Sequence, residues 1–498
     1  MLLFFVLLTA IVSLLVTYLQ YKYQYWARKG VPQTNLNFLE NICLMRTTHN
    51  LDFYREVYRH FRGKSKFGGT YIFAKPILVL LDLDLIKQVL IKDFNTFPDR
   101  FEYIPDNNII NGNLFKVNAE RWRPLRTKIT PTFTSAKMKF MFPTLVTVAK
   151  QLDVAFGKHL ENTPDGTLNI YEMMTRFTVD VIGQVGFGVV CNSLEDPNTE
   201  FLRVGHINFF QNHKSIRLRI LMTTYPVLFK LLHFLNIRRV PDEVEKFMLR
   251  LVRDTARIRE EQKIQRNDFM NLMIEMKNTK DENGKPMLTY EEMAAQVFIF
   301  FAGGYETSSS NLTYALYELA KNQHVQDKLR AEINSVLAKH NGELTYEAMD
   351  QMTYLYQVMS ETLRKYTVLA VLPRISIEEY TIPGTNIKLE KGTHIAVPIN
   401  AIHHDPEIYE SPHEFRPERF APEELQKRHP QAFLGFGDGP RNCIGLRFAR
   451  MQVRVGLITL LKSYRFTFSE KTPPRIDIMK KGLVLVPDNI VWLRATKL

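Results

Sequence analysis

The chain opens on an unbroken apolar run: residues Leu2 to Leu19 carry no charge and are mostly Leu, Val, Phe and Ile. At about 1.5 Å of helix rise per residue, such a run just crosses a bilayer core of about 30 Å. Tyr18, Tyr21, Tyr23, Tyr25 and Trp26 follow, with Lys22, Arg28 and Lys29 among them. They read as an interfacial aromatic belt with a positive flank. A cleaved signal would carry its charge before the run and small residues after it. Here the order is reversed, which predicts a retained anchor with the body on the cytosolic side. The expected organisation is an anchor over 1–21, a basic and aromatic linker over 22–35, and one large body over 36–498. No later stretch is long and apolar enough to span.

Through the body, apolar residues recur at spacings of three and four over 142–160, 171–187, 241–264, 290–321, 323–339 and 345–365, which predicts long helices. Strand patterns are fewer. Residues 70–91 read as a hairpin followed by a short helix. Tyr380 to Leu389 reads as a second hairpin around Pro383-Gly384, and Lys481 to Val486 as a short strand. No internal repeat or low-complexity tract divides the body. The fold class is mainly α with small β-sheets (α+β), behind one transmembrane helix.

Composition narrows the class. Of 498 residues, 45% are hydrophobic and 23% charged, an ordinary globular balance that excludes a disordered or collagen-like chain. Three cysteines, Cys43, Cys191 and Cys443, cannot build a disulfide framework, and an odd count leaves one thiol free. A net charge of +13 invites an acidic partner, whether nucleic acid, anionic membrane or acidic protein.

The chemistry gathers at Cys443. Glycines at 435, 437, 439 and 445 permit a tight loop that brings backbone close to something flat. The apolar residues Leu446, Phe448, Met451, Val455, Leu457, Leu460 and Leu461 then describe a buried helix. Cys443 stands at its N-terminal end, where the helix dipole favours a thiolate. A thiolate held so is either a nucleophile or a metal ligand. The plain alternative is a buried cysteine in a glycine-rich turn. A dinucleotide fingerprint fails, because Pro440 takes the place of its third glycine.

Phe436, Gly439, Arg441, Cys443 and Gly445 reproduce Phe-x-x-Gly-x-Arg-x-Cys-x-Gly, and in this the chain resembles the cytochrome P-450 haem-thiolate enzymes. Further motifs stand in the family's order. Glu361-Thr-Leu-Arg364 resembles its Glu-x-x-Arg, and Pro417-Glu-Arg419-Phe lies between that and the cysteine. Glu56…Arg59 and Glu200…Arg203 fit the same short pattern, so position gives it value. Trp122-Arg-Pro-Leu-Arg126 resembles the family's Trp-x-x-x-Arg. Asp180-Val-Ile-Gly, Arg266-Asn-Asp-Phe, His404-Asp-Pro and Lys128 to Thr134 look like the insect microsomal branch, most like its sixth family.

The resemblance implies a haem b cofactor with Cys443 as axial ligand to iron, and Phe436 and Arg441 beside it. It implies that Trp122, Arg126 and Arg374 hold the haem, and that Glu361, Arg364 and Arg419 form a structural ion-pair triad. Glu306-Thr307 resembles the family's acid–alcohol pair and is implied to be catalytic, relaying protons while dioxygen is consumed. Gly303 and Gly304 precede the pair, and each costs a helix about 1 kcal/mol against alanine. That cost suggests a helix opened for water or oxygen. Electrons would come from an NADPH-cytochrome reductase at the endoplasmic reticulum membrane, with cytochrome b5 admitted as a second donor. Arg447, Arg450 and Arg454 lie on one helical face and read as a basic entry side for them.

Phe101 to Phe115, Asn208 to Leu218, Phe298 to Gly304, Leu369 to Leu372 and Gly482 to Leu485 are the expected substrate lining. Plant toxins, insecticides, hormones, fatty acids and pheromones all suit it. A non-enzymatic haem protein would need a protein ligand on the sixth iron position or lack proton-relay residues, and an isomerase needing no reductase should lack the acid–alcohol pair. The charge of +13 then points to anionic lipid and an acidic redox partner, with no nucleic acid. Two departures stand out: no proline follows Arg364 until Pro373, and the linker carries only Pro32.

Overall fold

The computed structural model describes the chain except residues 48–49, 102–107, 208–239, 267, 281–283, 480–483 and 489. The apolar run forms α1 (Leu2–Tyr23), whose side chains from Leu3 to Tyr18 are exposed all round instead of packing on the body. Among the described residues, Leu3–Tyr23 is the one helix long and apolar enough to cross a membrane.

The aromatic segment after α1 is only partly a belt. Tyr18 and Tyr21 are exposed, whereas Tyr23 and Trp26 are buried. Trp26 Nε1 donates to the Thr70 carbonyl at 3.1 Å, and its ring lies so close to Gly69 that a Cβ there would overlap it. Gly69 N donates to the Pro32 carbonyl at 2.7 Å, and Thr34 N to that of Gly69 at 3.0 Å. The expected linker is therefore docked on the first sheet. Its stiffness comes from burial and backbone bonding, which is why a proline cluster is dispensable.

After α2 (Asn50–Phe61), β1 (Phe67–Ile72) and β2 (Lys75–Leu80) form the expected hairpin, in register Phe67↔Leu80. The helical part follows: α3 (Ala119–Ile129), α4 (Ser135–Glu161), the short strand β3 (Thr167–Asn169), α5 (Ile170–Val181), α6 (Asp242–Glu261), α7 (Tyr290–Lys321) and α8 (Gln323–Lys339). Two predicted helices differ in detail. Residues 182–187 continue α5 as a π turn that ends on Gly188 at φ +67°. Residues 345–365 are two helices, Tyr346–Gln351 and α9 (Thr353–Lys365), parted at Met352.

Strands β4 (Leu372–Ile375), β5 (Tyr380–Thr381), β6 (Lys388–Leu389) and β7 (His394–Val397) come next, then α10 (Leu446–Ser463), β8 (Tyr464–Thr467) and β9 (Trp492–Lys497). The largest sheet has the order β1-β2-β7-β4; β3-β9-β8 and β5-β6 are separate. Of the predicted strand over 481–486, residues 481–483 lie outside the described residues. Val484 makes a single bridge to Leu369.

Among the described residues, two large apolar clusters result, with a small third one of Leu51, Ala370 and Leu485. A helical core gathers α4, α5, α7, α9 and α10, and a sheet core gathers α2, β1, β2, β4 and β7. The segment leading to Cys443 crosses between them: Leu434 packs in the sheet core, Phe436 and Ile444 against the helical one.

Candidate active site

The cysteine loop is fixed from several sides. Cys443 N donates to the Phe436 carbonyl at 2.9 Å, and Asn442 N to that of Gly439 at 3.0 Å, folding the loop back on itself. Gly437 and Gly439 have φ of +68° and +73°, a region that side chains disfavour. At Gly439 a Cβ would also strike the Leu90 carbonyl. Phe436 lies under the Arg450 guanidinium at 5.3 Å.

Cys443 is accessible yet lies deep in the protein, which places it on the wall of a cleft. Burial pushes its thiol pKa up, opposed by the Gly445 amide and by Arg126 and Arg100. The expected thiolate preference from the helix end is thus outweighed by burial. The reason is distance: α10 begins at Leu446, with Gly445 as its N-cap. Cys191 is buried among apolar groups, and Cys43 is exposed.

Around that thiol stand four arginines. Arg374 and Arg441 are each 1% exposed. Arg374 Nε has no partner, nor do Nε and Nη1 of Arg441. Arg441 Nη2 donates to the Val117 carbonyl, and its guanidinium lies 4.8 Å from the Trp122 ring centre. Arg126 donates to the Asn442 carbonyl at 3.1 Å and to its side-chain oxygen at 2.9 Å. Arg100, which belongs to no motif, donates to the Arg441 carbonyl.

Burial, and then the charge of Arg441, lower the Arg374 pKa to about 9. Burial lowers Arg441 to about 10, with Asp99 opposing and Arg126 adding. Arg100 falls well below its ordinary value through burial and through Arg374 and Arg441. Converging, desolvated cations with unused donors are costly unless an anion joins them. The donor set suits a flat dianionic group, and the accessible thiol beside it suits that group's metal. A haem, with two carboxylates and an iron, fits.

Glu361, Arg364 and Arg419 meet in one buried cluster. Arg364 Nε donates to Glu361 Oε2 at 2.7 Å, Arg364 Nη2 to Oε1 at 2.8 Å, and Arg419 Nε lies 3.3 Å from Oε1. Arg416 N also donates to Oε1, at 3.0 Å. The cluster reaches the cysteine loop through a residue that sequence reasoning missed. Arg364 Nη1 donates to the His403 carbonyl at 2.8 Å, and His403 Nε2 accepts from Leu434 N at 2.9 Å. Burial and then Arg364 hold the His403 pKa well below its ordinary value, so the ring stays a neutral acceptor.

The central helix α7 starts on a capping box between Thr289 and Glu292 and runs unbroken past its two glycines. It is not opened there. Gly304 packs against Ile182, which an added Cβ would overlap, whereas Gly303 faces free space. Ile299, Gly303 and Thr307, four apart, form one accessible stripe. Within the expected lining, Phe298 and Phe301 are instead core residues, and Phe300 stacks on Phe269 at 4.4 Å. Phe300 also meets Phe448 of α10 at 5.8 Å, which sets the stripe level with the cysteine helix. Of the other expected lining, residues 102–107, 208–218 and 482–483 lie outside the described residues.

Thr307 donates its hydroxyl to the Gly303 carbonyl at 2.7 Å. Glu306 points elsewhere. It is fully buried, and its Oε1 accepts the hydroxyl of Tyr171 on α5, a second partner without a sequence signal. Burial raises its pKa to about 7, against the hydroxyls of Tyr171, Tyr305 and Ser310. The expected basic face of α10 is reduced to Arg447, which is exposed. Arg450 covers Tyr356 and Phe436, and Arg454 pairs with Asp350 at 3.2 Å.

Comparison with known proteins gives a consistent picture. The family profile described as Cytochrome P450 matches residues 31–494. The chain is 40% identical to a Drosophila melanogaster protein named probable cytochrome P450 6a21, over 99% of both chains. It is 41% identical to cytochrome P450 6a8 of the same organism over 97% of both, and 39% identical to cytochrome P450 6a2 over 99% of both.

Proposed function

The chain belongs to the cytochrome P450 family, and from that premise we propose that Cys443 would hold the iron of the haem in a monooxygenase acting on small lipophilic foreign compounds, such as plant toxins or insecticides. Haem b with dioxygen and NADPH-derived electrons is the family's chemistry. When bound, the haem supplies dioxygen activation and the oxidising power for inserting one oxygen atom. The protein's share is to bind, orient, exclude water and move protons.

The observation that carries this reading is the set of unused buried donors on Arg374 and Arg441 beside an accessible Cys443. Arg100, Arg126, Arg374 and Arg441 would hold the haem carboxylates, with the Trp122 ring stacked under Arg441. Glu361, Arg364 and Arg419 brace the cysteine loop through His403. Glu306, poised near neutral pH, would hold and release protons, and the Thr307 hydroxyl would deliver them to the space bordered by Gly303. Apolar Ile299, Leu369 and Val371 support a lipophilic substrate.

We read α1 as an anchor in the endoplasmic reticulum membrane, with the basic residues after it on the cytosolic side. Electrons would come from an NADPH-cytochrome reductase in that membrane. The test is spectral. The reduced, carbon monoxide-treated protein should show the thiolate-shifted Soret band, and Cys443→Ala should abolish it. Retention of the band in that variant would overturn the assignment. With added reductase, NADPH oxidation and turnover of a panel of plant toxins and insecticides should both need Cys443 and dioxygen. Turnover confined to hormones, fatty acids or pheromones would overturn the foreign-compound reading.

A further inference from the structure

The central helix carries a second buried carboxylate, and the catalytic scheme does not use it. Glu318 lies toward the C-terminal end of α7 and is 1% exposed. Lys365 Nζ pairs with its Oε1 at 2.9 Å. Asn322 Nδ2 donates to Oε2 at 3.2 Å, and the Tyr366 hydroxyl donates to Oε1. Burial and Glu318 together raise the Tyr366 pKa well above its ordinary value, so the phenol keeps the proton it donates. The Tyr366 ring lies flat on that of Tyr314, with centroids 4.3 Å apart and planes 7° from parallel.

This cluster holds two chain segments at once. Tyr366 opens the run that crosses between the cores: Val368 packs on the helical core, Leu369 and Val371 on the sheet core. The run ends beside the cysteine loop, where Leu372 lies 3.7 Å from the place a Cβ on Gly437 would take. Tyr314 donates its hydroxyl to the Leu485 carbonyl at 3.4 Å. Leu485 N donates to the Val368 carbonyl at 2.9 Å, and Leu369 bridges Val484. The run has no proline before Pro373, so nothing covalent stiffens its start. The stacked pair and the buried carboxylate do so instead.

We propose that Tyr366, fixed by Glu318 and Tyr314, is a positioning residue that sets the width of the substrate space at its Val368–Leu372 wall, and so the size of apolar ligand the enzyme accepts. This rests on the reading of that run as cavity wall in a haem enzyme. Removing the hydroxyl leaves the ring stack in place but frees the run to shift away from α7. The effect must therefore grow with ligand size. A ligand too small to reach the wall is indifferent to it.

The experiment titrates the full-length holoenzyme with imidazole, 4-phenylimidazole and 1-dodecylimidazole, following the Soret shift on iron ligation. Tyr366→Phe and Glu318→Gln should each leave the imidazole Kd within about twofold of wild type. Each should change the 1-dodecylimidazole Kd by about fivefold or more, as expected for a differential of about 1 kcal/mol. The double variant should add little to either alone. Equal changes for all three azoles, or none in either variant, would overturn the proposal. Should one variant fail to retain haem, the other still decides it. Absence of a Soret shift with every azole in the wild type would overturn the haem reading beneath it, a distinct outcome.

Discussion

The hydroxyl of Tyr171 donates to the fully buried carboxylate of Glu306, binding the acid of the acid–alcohol pair to a neighbouring helix and not to the threonine beside it in sequence. The two halves of the pair are thereby separated. Thr307 lies on the accessible stripe of α7 with its hydroxyl on the Gly303 carbonyl, while Glu306 faces α5. A proton passing between them has to cross the helix, by a turn of the Glu306 side chain or through water. Tyr171 is itself half-buried, which offers such a proton a way in from outside.

A pH dependence of stability follows from Glu306. Its carboxyl pKa rises from 4.5 to about 7 on folding, because burial penalises the charge. Below 4.5 both states are protonated and the site is neutral to stability. Between that value and about 7 the unfolded chain releases a proton that the folded one keeps, so stability falls with rising pH, by about 3 kcal/mol in all. Glu306→Gln has nothing to titrate. Its stability relative to wild type should climb by about that amount from pH 4 to pH 8, read from denaturant midpoints of the holoenzyme. A difference flat in pH would refute the burial account.

Arg374 should act with opposite signs on the two forms of the protein. In the haem-free form it is a buried cation facing other cations, so Arg374→Met is expected to stabilise that form by about 1–4 kcal/mol. In the loaded form the same change removes a partner for the haem carboxylates and should speed haem loss. Thermal midpoints of the haem-free variant, set against haem transfer rates to apomyoglobin from the loaded one, check both halves. Destabilisation of the haem-free form would mean that the guanidinium is satisfied within the protein itself.

Glu361 neutralises two buried guanidiniums. Its removal in Glu361→Ala leaves both uncompensated and should cost about 3–5 kcal/mol. Folded yield and urea midpoint are the measures. Because the cluster reaches the cysteine loop through Arg364 and His403, the loop should loosen as well, and haem retention should fall in parallel. A stable variant with normal haem content would show that the triad does not brace the loop.

How much of this was legible in the sequence divides by the range of the interaction. Long helices came through because a period of three to four residues repeats over many turns, as in 290–321 and 323–339, which match the structure end to end. The meeting of Glu361, Arg364 and Arg419 was legible only through the family resemblance, since the short Glu-x-x-Arg pattern recurs elsewhere in the chain. Strand β9 was missed: Trp492–Lys497 buries only Leu493 and Ala495, a faint alternation, and its partners Thr167–Asn169 and Tyr464–Thr467 are remote or separately ordinary. Arg100, Tyr171 and His403 were missed for a similar reason. Their decisive contacts are all to residues far away in the chain, Arg441 for Arg100, Glu306 for Tyr171, and Arg364 and Leu434 for His403, and a single arginine, tyrosine or histidine has no local pattern to give it away. The basic face on α10 failed because periodicity says which side chains share a face but not what covers it. Here Phe436, Tyr356 and Asp350 occupy two of the three arginines.

The two glycines of α7 make the sharpest contrast, since alike in sequence they differ in what they face. Gly303 borders free space, so Gly303→Ala should gain about 1 kcal/mol from helix propensity alone. It should also narrow the accessible stripe by one methyl group and weaken the binding of bulky azoles. Gly304 abuts the Ile182 side chain, so Gly304→Ala forces that side chain or the π turn it belongs to aside, at a cost of about 1–3 kcal/mol. Pairing it with Ile182→Val removes the terminal methyl that the new Cβ would meet and should recover part of the loss. Urea midpoints and turnover of the three variants distinguish this packing account from a helix that must open at both glycines. In the latter case both single alanine variants would lose activity alike, and Ile182→Val would rescue neither.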